Sequence, residues 1–146
     1  MQSEKRKGMG RVSEEKKTKQ NEGKKILIVD DEPESVEELR QNLENSGHRV
    51  IFAYDGREGL IKVQEENPDL VILDLMLPGM NGYKICRLLK YDERYRHIPI
   101  IMFSARADEN GKELAKEVGI DAWLTKPFKR EMVFQVIEKL LLHGRK

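Results

Sequence analysis

Ile26-Leu27-Ile28-Val29-Asp30-Asp31-Glu32-Pro33 is the stretch that decides the fold: four consecutive apolar residues, then three acids and a proline. A solid apolar run, rather than an alternating one, reads as a strand covered on both faces, the condition of a parallel sheet with helices on each side. Proline has a fixed φ and no N–H to donate, so Pro33 suits the first turn of a helix. The stretch therefore reads as the corner of one strand-helix unit.

Four further solid runs follow it, at residues 50–53, 70–73, 98–103 and 122–124. Between and after them, apolar residues recur at helical spacing. The stripes are Val36, Leu39 and Leu43, then Leu60 and Val63, then Ile85, Leu88 and Leu89, then Leu114 and Val118. A last helix carries Val133, Val136, Ile137, Leu140 and Leu141. Gly47 reads as a helix stop and Asn67-Pro68 as a break before the third strand. Five strand-helix units joined by right-handed crossovers predict an α/β fold of the flavodoxin-like kind, a doubly wound parallel sheet of order 2-1-3-4-5. Ligands of such sheets collect beyond the carboxyl ends of the strands where the order reverses, here between the first and third.

Composition narrows the class. At 146 residues, 38% hydrophobic and 36% charged, the chain suits one soluble globular domain. Cys86 is the single cysteine, which excludes a disulfide framework and reads as a small core residue. With no signal peptide evident, the lone thiol suits the cytoplasm. No apolar run approaches the length of a bilayer span. A net charge of +1 argues against a dedicated nucleic-acid binder. Residues 1–23 hold seven Lys/Arg against four Glu, with only Met1, Met9 and Val12 apolar, and read as a disordered basic tail ahead of a domain spanning residues 24–146. His48, His97 and His143 share no metal-ligand spacing, and Gly8-Met9-Gly10 lacks the preceding strand that a dinucleotide fingerprint needs.

The chemistry lies at the carboxyl edge. Asp30, Asp31 and Glu32 follow the first run, Asp74 the third, Ser104 the fourth, and Lys126 the fifth. Carboxylates gathered there repel unless a cation neutralises them, and oxygen-only ligation favours Mg²⁺ over zinc or copper. A hydroxyl and an ammonium facing such a site are what a transferred phosphoryl group needs, with Asp74 as its nucleophile. Each residue also has a plainer reading. Asp31 would cap the first helix with Glu34 completing a box, Asp74 would form a turn, Ser104 would cap the next helix, and Lys126 would be solvated. Four such coincidences at one sheet edge favour a single site.

Residues 25–33 and the run Leu73-Asp74-Leu75-Met76-Leu77-Pro78-Gly79-Met80-Asn81-Gly82 resemble the response-regulator receiver family of two-component systems. Ser104-Ala105, Thr125-Lys126-Pro127-Phe128 and the intervals of 43, 30 and 22 residues from Asp31 to Asp74, Ser104 and Lys126 complete the resemblance. It implies a chemotaxis-regulator-like receiver that takes a phosphoryl group on Asp74 from a histidine kinase or phosphotransfer protein. It further implies that Asp31, Asp74 and the Met76 backbone carbonyl ligate Mg²⁺, with Asp30 acting through water, and that Lys126 pairs with the phosphate across a cis Lys126–Pro127 bond. Ser104 and Trp123 would form the switch, with the fourth helix, fifth strand and fifth helix as the output face. Met76 and Arg106 occupy positions that set phosphate lifetime, and neither orients water well, so slow self-dephosphorylation is expected. The last helix ends close to Lys146, so output is expected through a separate target protein, with a homodimer also open. Two alternatives compete. An aspartate-nucleophile phosphatase would need a second acid/base, commonly two residues after the nucleophile where Met76 stands, and a phosphorylation-independent binding module would need none of the set.

Overall fold

A computed structural model describes residues 23–104, 109–127 and 129–143. The tail expected over residues 1–23 lies, but for Gly23, outside them. The described elements alternate as β1 (Lys25–Val29), α1 (Pro33–Asn45), β2 (Arg49–Ala53), α2 (Gly56–Glu66), β3 (Leu70–Asp74), α3 (Gly82–Lys90), β4 (Ile100–Ser104), α4 (Glu109–Val118), β5 (Ala122–Thr125) and α5 (Arg130–His143). All strand pairs are parallel, and the sheet order is β2-β1-β3-β4-β5, the order expected for five strand-helix units.

Each strand divides its side chains between two cores. Leu27, Val29, Val71, Leu73, Ile100 and Met102 pack with Val63, Ile85, Leu89 and Val118 of α2, α3 and α4. Ile26, Ile28, Leu70, Ile72, Ile101 and Phe103 pack with Val36, Leu39 and Leu43 of α1 and with Val133, Ile137 and Leu141 of α5. Burying a Leu or Ile side chain contributes about 1.5–3 kcal/mol, so the two-sided cover explains why the strands read as solid apolar runs.

Helix ends follow local chemistry. Pro33 opens α1. That helix closes in a Schellman motif, with Gly47 N–H on the Glu44 carbonyl and His48 N–H on the Leu43 carbonyl, and Gly47 at a φ of +96° that strains any residue with a Cβ. Asp55 and Asn81 cap α2 and α3 through their side chains.

Three details depart from the expected pattern. β4 starts at Ile100 rather than at residue 98, because Pro99 has no N–H for the ladder. Asp74 and Ser104 are the last residues of their strands rather than the first beyond them. Leu88 is 46% exposed, whereas Cys86 is buried. At 100° per residue, Gly82, Ile85, Cys86 and Leu89 share one arc of α3 and Leu88 falls outside it. Among the described residues, no helix is long and apolar enough to cross a membrane.

Gly82 brings the start of α3 against the end of β3. Its N–H donates to the Leu75 carbonyl at 2.9 Å, and a Cβ at this position would sit 2.8 Å from the Asp74 carbonyl oxygen and 3.0 Å from the Leu75 Cα. Those atoms are backbone and yield little. Gly82→Ala is expected to destabilise the protein by about 1–3 kcal/mol in urea unfolding. An unchanged midpoint and slope would show that the close approach carries no packing constraint.

Candidate functional site at the carboxyl edge

β1 and β3 run side by side, and each ends in a buried aspartate: Asp30 follows Val29 directly, and Asp74 closes β3. The two are held alike. Asp30 Oδ1 accepts the Glu32 N–H at 3.0 Å, and Asp74 Oδ1 accepts the Met76 N–H at 3.0 Å. Their remaining oxygens face a common cation, because Lys126 Nζ lies 3.4 Å from Asp30 Oδ2 and 3.3 Å from Asp74 Oδ2. The same ammonium is 3.5 Å from Glu32 Oε1 and sits over the Phe103 ring, 4.7 Å from its centroid.

Lys126 reaches this position because the β4–β5 ladder continues one step past the strands, with Lys126 N–H donating to the Ser104 carbonyl at 2.7 Å. Ser104 is buried at the end of β4, one residue beyond the Asp74–Phe103 pair. The Lys126–Pro127 bond is cis. Behind Lys126, between α1 and α5, opens a cavity of about 420 Å³ lined in part by Leu39, Phe103, Pro127, Val133 and Phe134.

Asp31 does not cap α1. Glu32 occupies the cap position, and its side chain accepts no backbone N–H of the helix. Instead, ligand oxygens of Asp30, Asp31 and Asp74 lie within 4.8 Å of one another, the one such cluster among the described residues. Two of these acids are buried and all offer hard oxygen donors, a set suited to a divalent cation such as Mg²⁺ and unfavourable without compensating charge. The electrostatics register that crowding. Burial pushes the Asp30 carboxyl up to about 6, aided by Asp74 and opposed by the Glu32 N–H and Lys126. Burial works against the Lys126 charge, but the carboxylates of Asp30, Asp74 and Glu32 outweigh it and hold the ammonium above its ordinary range.

The remaining expected residues are distributed around this centre. Met76 is 60% exposed, with its backbone tied to Asp74. Trp123 pairs with Met102 in the ladder and packs on the α3 side, its ring 6.4 Å from that of Tyr83. The Trp123 Nε1 is buried with no acceptor among the described residues. Cys86 is a core residue, its thiol donating to the Val118 carbonyl at 3.4 Å and pushed by burial up to about 12. Arg106, together with Ala105 and Phe128, lies outside the described residues. Two contacts were missed from sequence. Glu32 groups in the sequence with the acids after the first run and Phe103 with the fourth apolar run, but their approach to Lys126 depends on where the end of β5 stands relative to β1 and β4.

Residues 26–138 match the response regulator receiver domain family. The chain is 43% identical over 118 residues to the alkaline phosphatase synthesis transcriptional regulatory protein PhoP of Bacillus subtilis (strain 168), an overlap of 81% of this chain and 48% of that protein. It thus spans about half the length of that relative. Its structure is similar to that of the chemotaxis protein CheY4 of Vibrio cholerae, with a TM-score of 0.77 and 31% identity over 80% of this chain and 98% of that one. It is also similar to the receiver domain of the sensor histidine kinase PA1611 of Pseudomonas aeruginosa PAO1, which has a magnesium ion coordinated in its active site cleft. There the TM-score is 0.75 and the identity 28%, over 82% of this chain and 98% of that one.

The raised Asp30 carboxyl has a consequence for stability without metal. Its ordinary value is 3.8, so between about pH 4 and pH 6 the folded protein keeps a proton that the unfolded chain releases. The stability this supplies is complete below about pH 4 and is lost as the pH rises through about 6. Asp30→Asn keeps an acceptor for the Glu32 N–H and carries no charge. In chelator it is expected to raise Tm by several degrees at pH 7.5 and to change it little at pH 4. An equal gain at both values would exclude charge burial as the cause.

Proposed function

The chain belongs to the response regulator receiver domain family, and from that premise we propose that it is a phospho-acceptor of a two-component phosphorelay, taking a phosphoryl group on Asp74 with Mg²⁺. The observation that carries this reading is the convergence of Asp30, Asp31 and Asp74 within 4.8 Å, with Lys126 at 3.3 Å from Asp74. A nucleophilic carboxylate, a metal-binding acid group and a fixed ammonium are the parts that phosphoryl transfer requires.

The donor is a phosphohistidine of a kinase or phosphotransfer protein, or a small acyl phosphate. An Asp74 carboxylate oxygen attacks phosphorus in line, an O–P bond forms, and the bond from phosphorus to the donor breaks, the donor leaving with its electron pair. Asp31, Asp74 and the Met76 carbonyl would hold Mg²⁺ directly and Asp30 through water. That ion, when bound, neutralises charge on the transferred oxygens. The magnesium in the cleft of the PA1611 receiver supports this assignment. Lys126 is already poised beside Asp74, so it can pair with the phosphate without a long movement. Ser104 then closes on a phosphate oxygen, and Trp123 adjusts in response. The Trp123 indole N–H has no acceptor among the described residues, so no polar bond ties the ring in its present position. The output face is α4, β5 and α5, read by a separate target protein.

Incubation with acetyl phosphate and Mg²⁺ is expected to add one phosphate by intact mass and to alter the fluorescence of Trp123, the single tryptophan. Both changes disappear in chelator and in Asp74→Ala. Labelling that survives Asp74→Ala, or turnover of an external phosphate ester, would replace this reading with another.

Met76, exposed and two residues beyond Asp74, has an apolar side chain that cannot orient an attacking water, and we assign Arg106 to the same lifetime-setting role. The phosphoprotein should be long-lived. Met76→Asn is expected to shorten its half-life several-fold, measured as phosphate release after the donor is removed; an equal or longer half-life counts against the assignment.

A further inference from the structure

Three carboxylates share the Lys126 ammonium, and they are not equivalent. Asp30 and Asp74 are buried and belong to the acid group gathered for a cation. Glu32 stands outside that group, on the solvent side, with its side chain 64% exposed. Its Oε1 is nevertheless aimed. The atom lies 3.5 Å from Lys126 Nζ and accepts the Ser35 hydroxyl at 3.2 Å from one turn into α1.

We propose that Glu32 is a positioning residue that competes with the incoming phosphoryl group for the Lys126 ammonium and so slows phosphorylation. The inference rests on Asp74 being the phospho-acceptor. A divalent cation held by the aspartates would neutralise the two buried rivals, whereas Glu32 lies outside that acid group and would keep its charge. It is then the anion left to hold Lys126 when the phosphoryl oxygens need it. Glu32 never touches the reacting atoms; it acts through Lys126. Ser35 contributes by holding Oε1 toward the lysine.

The test compares Glu32→Gln, Glu32→Asp and Ser35→Ala with the parent protein. Phosphorylation rates are measured in Mg²⁺ with two donors of different charge, acetyl phosphate and phosphoramidate. Glu32→Gln is expected to react roughly two- to five-fold faster, the size of one exposed ion pair. Glu32→Asp keeps the charge but is one methylene too short to reach Lys126, so it should match Glu32→Gln, and Ser35→Ala should give a smaller gain in the same direction. The gain should be the same for both donors, because it arises at Lys126 and not from repulsion of the donor, and Tm should be unchanged. A gain confined to acetyl phosphate, or a Glu32→Asp protein that keeps the parent rate while Glu32→Gln is faster, would replace positioning with plain charge repulsion and overturn the proposal. Parent and Glu32→Gln proteins labelled on Asp74 at equal rates would overturn it alone. A parent protein that takes no phosphate would overturn it together with the function it rests on.

Discussion

Two aspartates buried at the ends of neighbouring parallel strands impose a condition on the rest of the molecule: their charge must be balanced from within. Asp30 and Asp74 cannot be moved apart, because β1 and β3 are adjacent and each acid follows directly on Val29–Leu73, the last pair of the ladder those strands share. Lys126 supplies part of the balance, and it comes from the far side of the sheet. Its reach depends on β4 and β5 being in register with β3, which in turn depends on Ile101, Phe103 and Leu124 packing under α1 and α5. The two-sided apolar core is therefore as much a part of the site as the acids are.

The arrangement is rigid where charge is concentrated and looser at its rim. One oxygen of each buried aspartate is fixed by a backbone N–H two residues ahead, and the other faces the Lys126 ammonium. Close backbone contacts at Gly82 keep the loop after β3 against the sheet. Around this frame stand side chains with freedom to respond: Met76 in solvent, Glu32 reaching over the surface, and Trp123 with its N–H unsatisfied among the described residues. Preorganised donors and acceptors beside a few adjustable groups suit the proposed role of holding a phosphoryl charge and reporting it.

Much of this was legible in the sequence because the decisive signals are local. Five solid apolar runs cannot be amphipathic surface strands, and the residues just past a parallel strand necessarily share one edge. Asp30, Asp31, Asp74, Ser104 and Lys126 could thus be grouped before any coordinates. What escaped was tertiary in origin. Leu88 has the hydrophobicity of its neighbours on α3 but not their angle, and only the position of the sheet decides which arc is covered. Glu32 could be placed with the acids of that edge, but nothing in its spacing announces a bond to a lysine that arrives 94 residues later or a hydroxyl from Ser35 that holds it there. Asp31 satisfied a capping pattern that the backbone did not adopt.

The aromatic ring beneath Lys126 gives the site a second kind of anchor. A benzene face attracts a cation through its quadrupole while carrying no net charge and no ionisable proton. Phe103 therefore attracts the lysine for as long as the ammonium keeps its proton, and it binds neither a metal nor a phosphate. Were the neighbouring anions claimed by a metal or a phosphate, as proposed, the ammonium would keep a resting place on an uncharged face, and the alignment of the site would outlast each change of occupant.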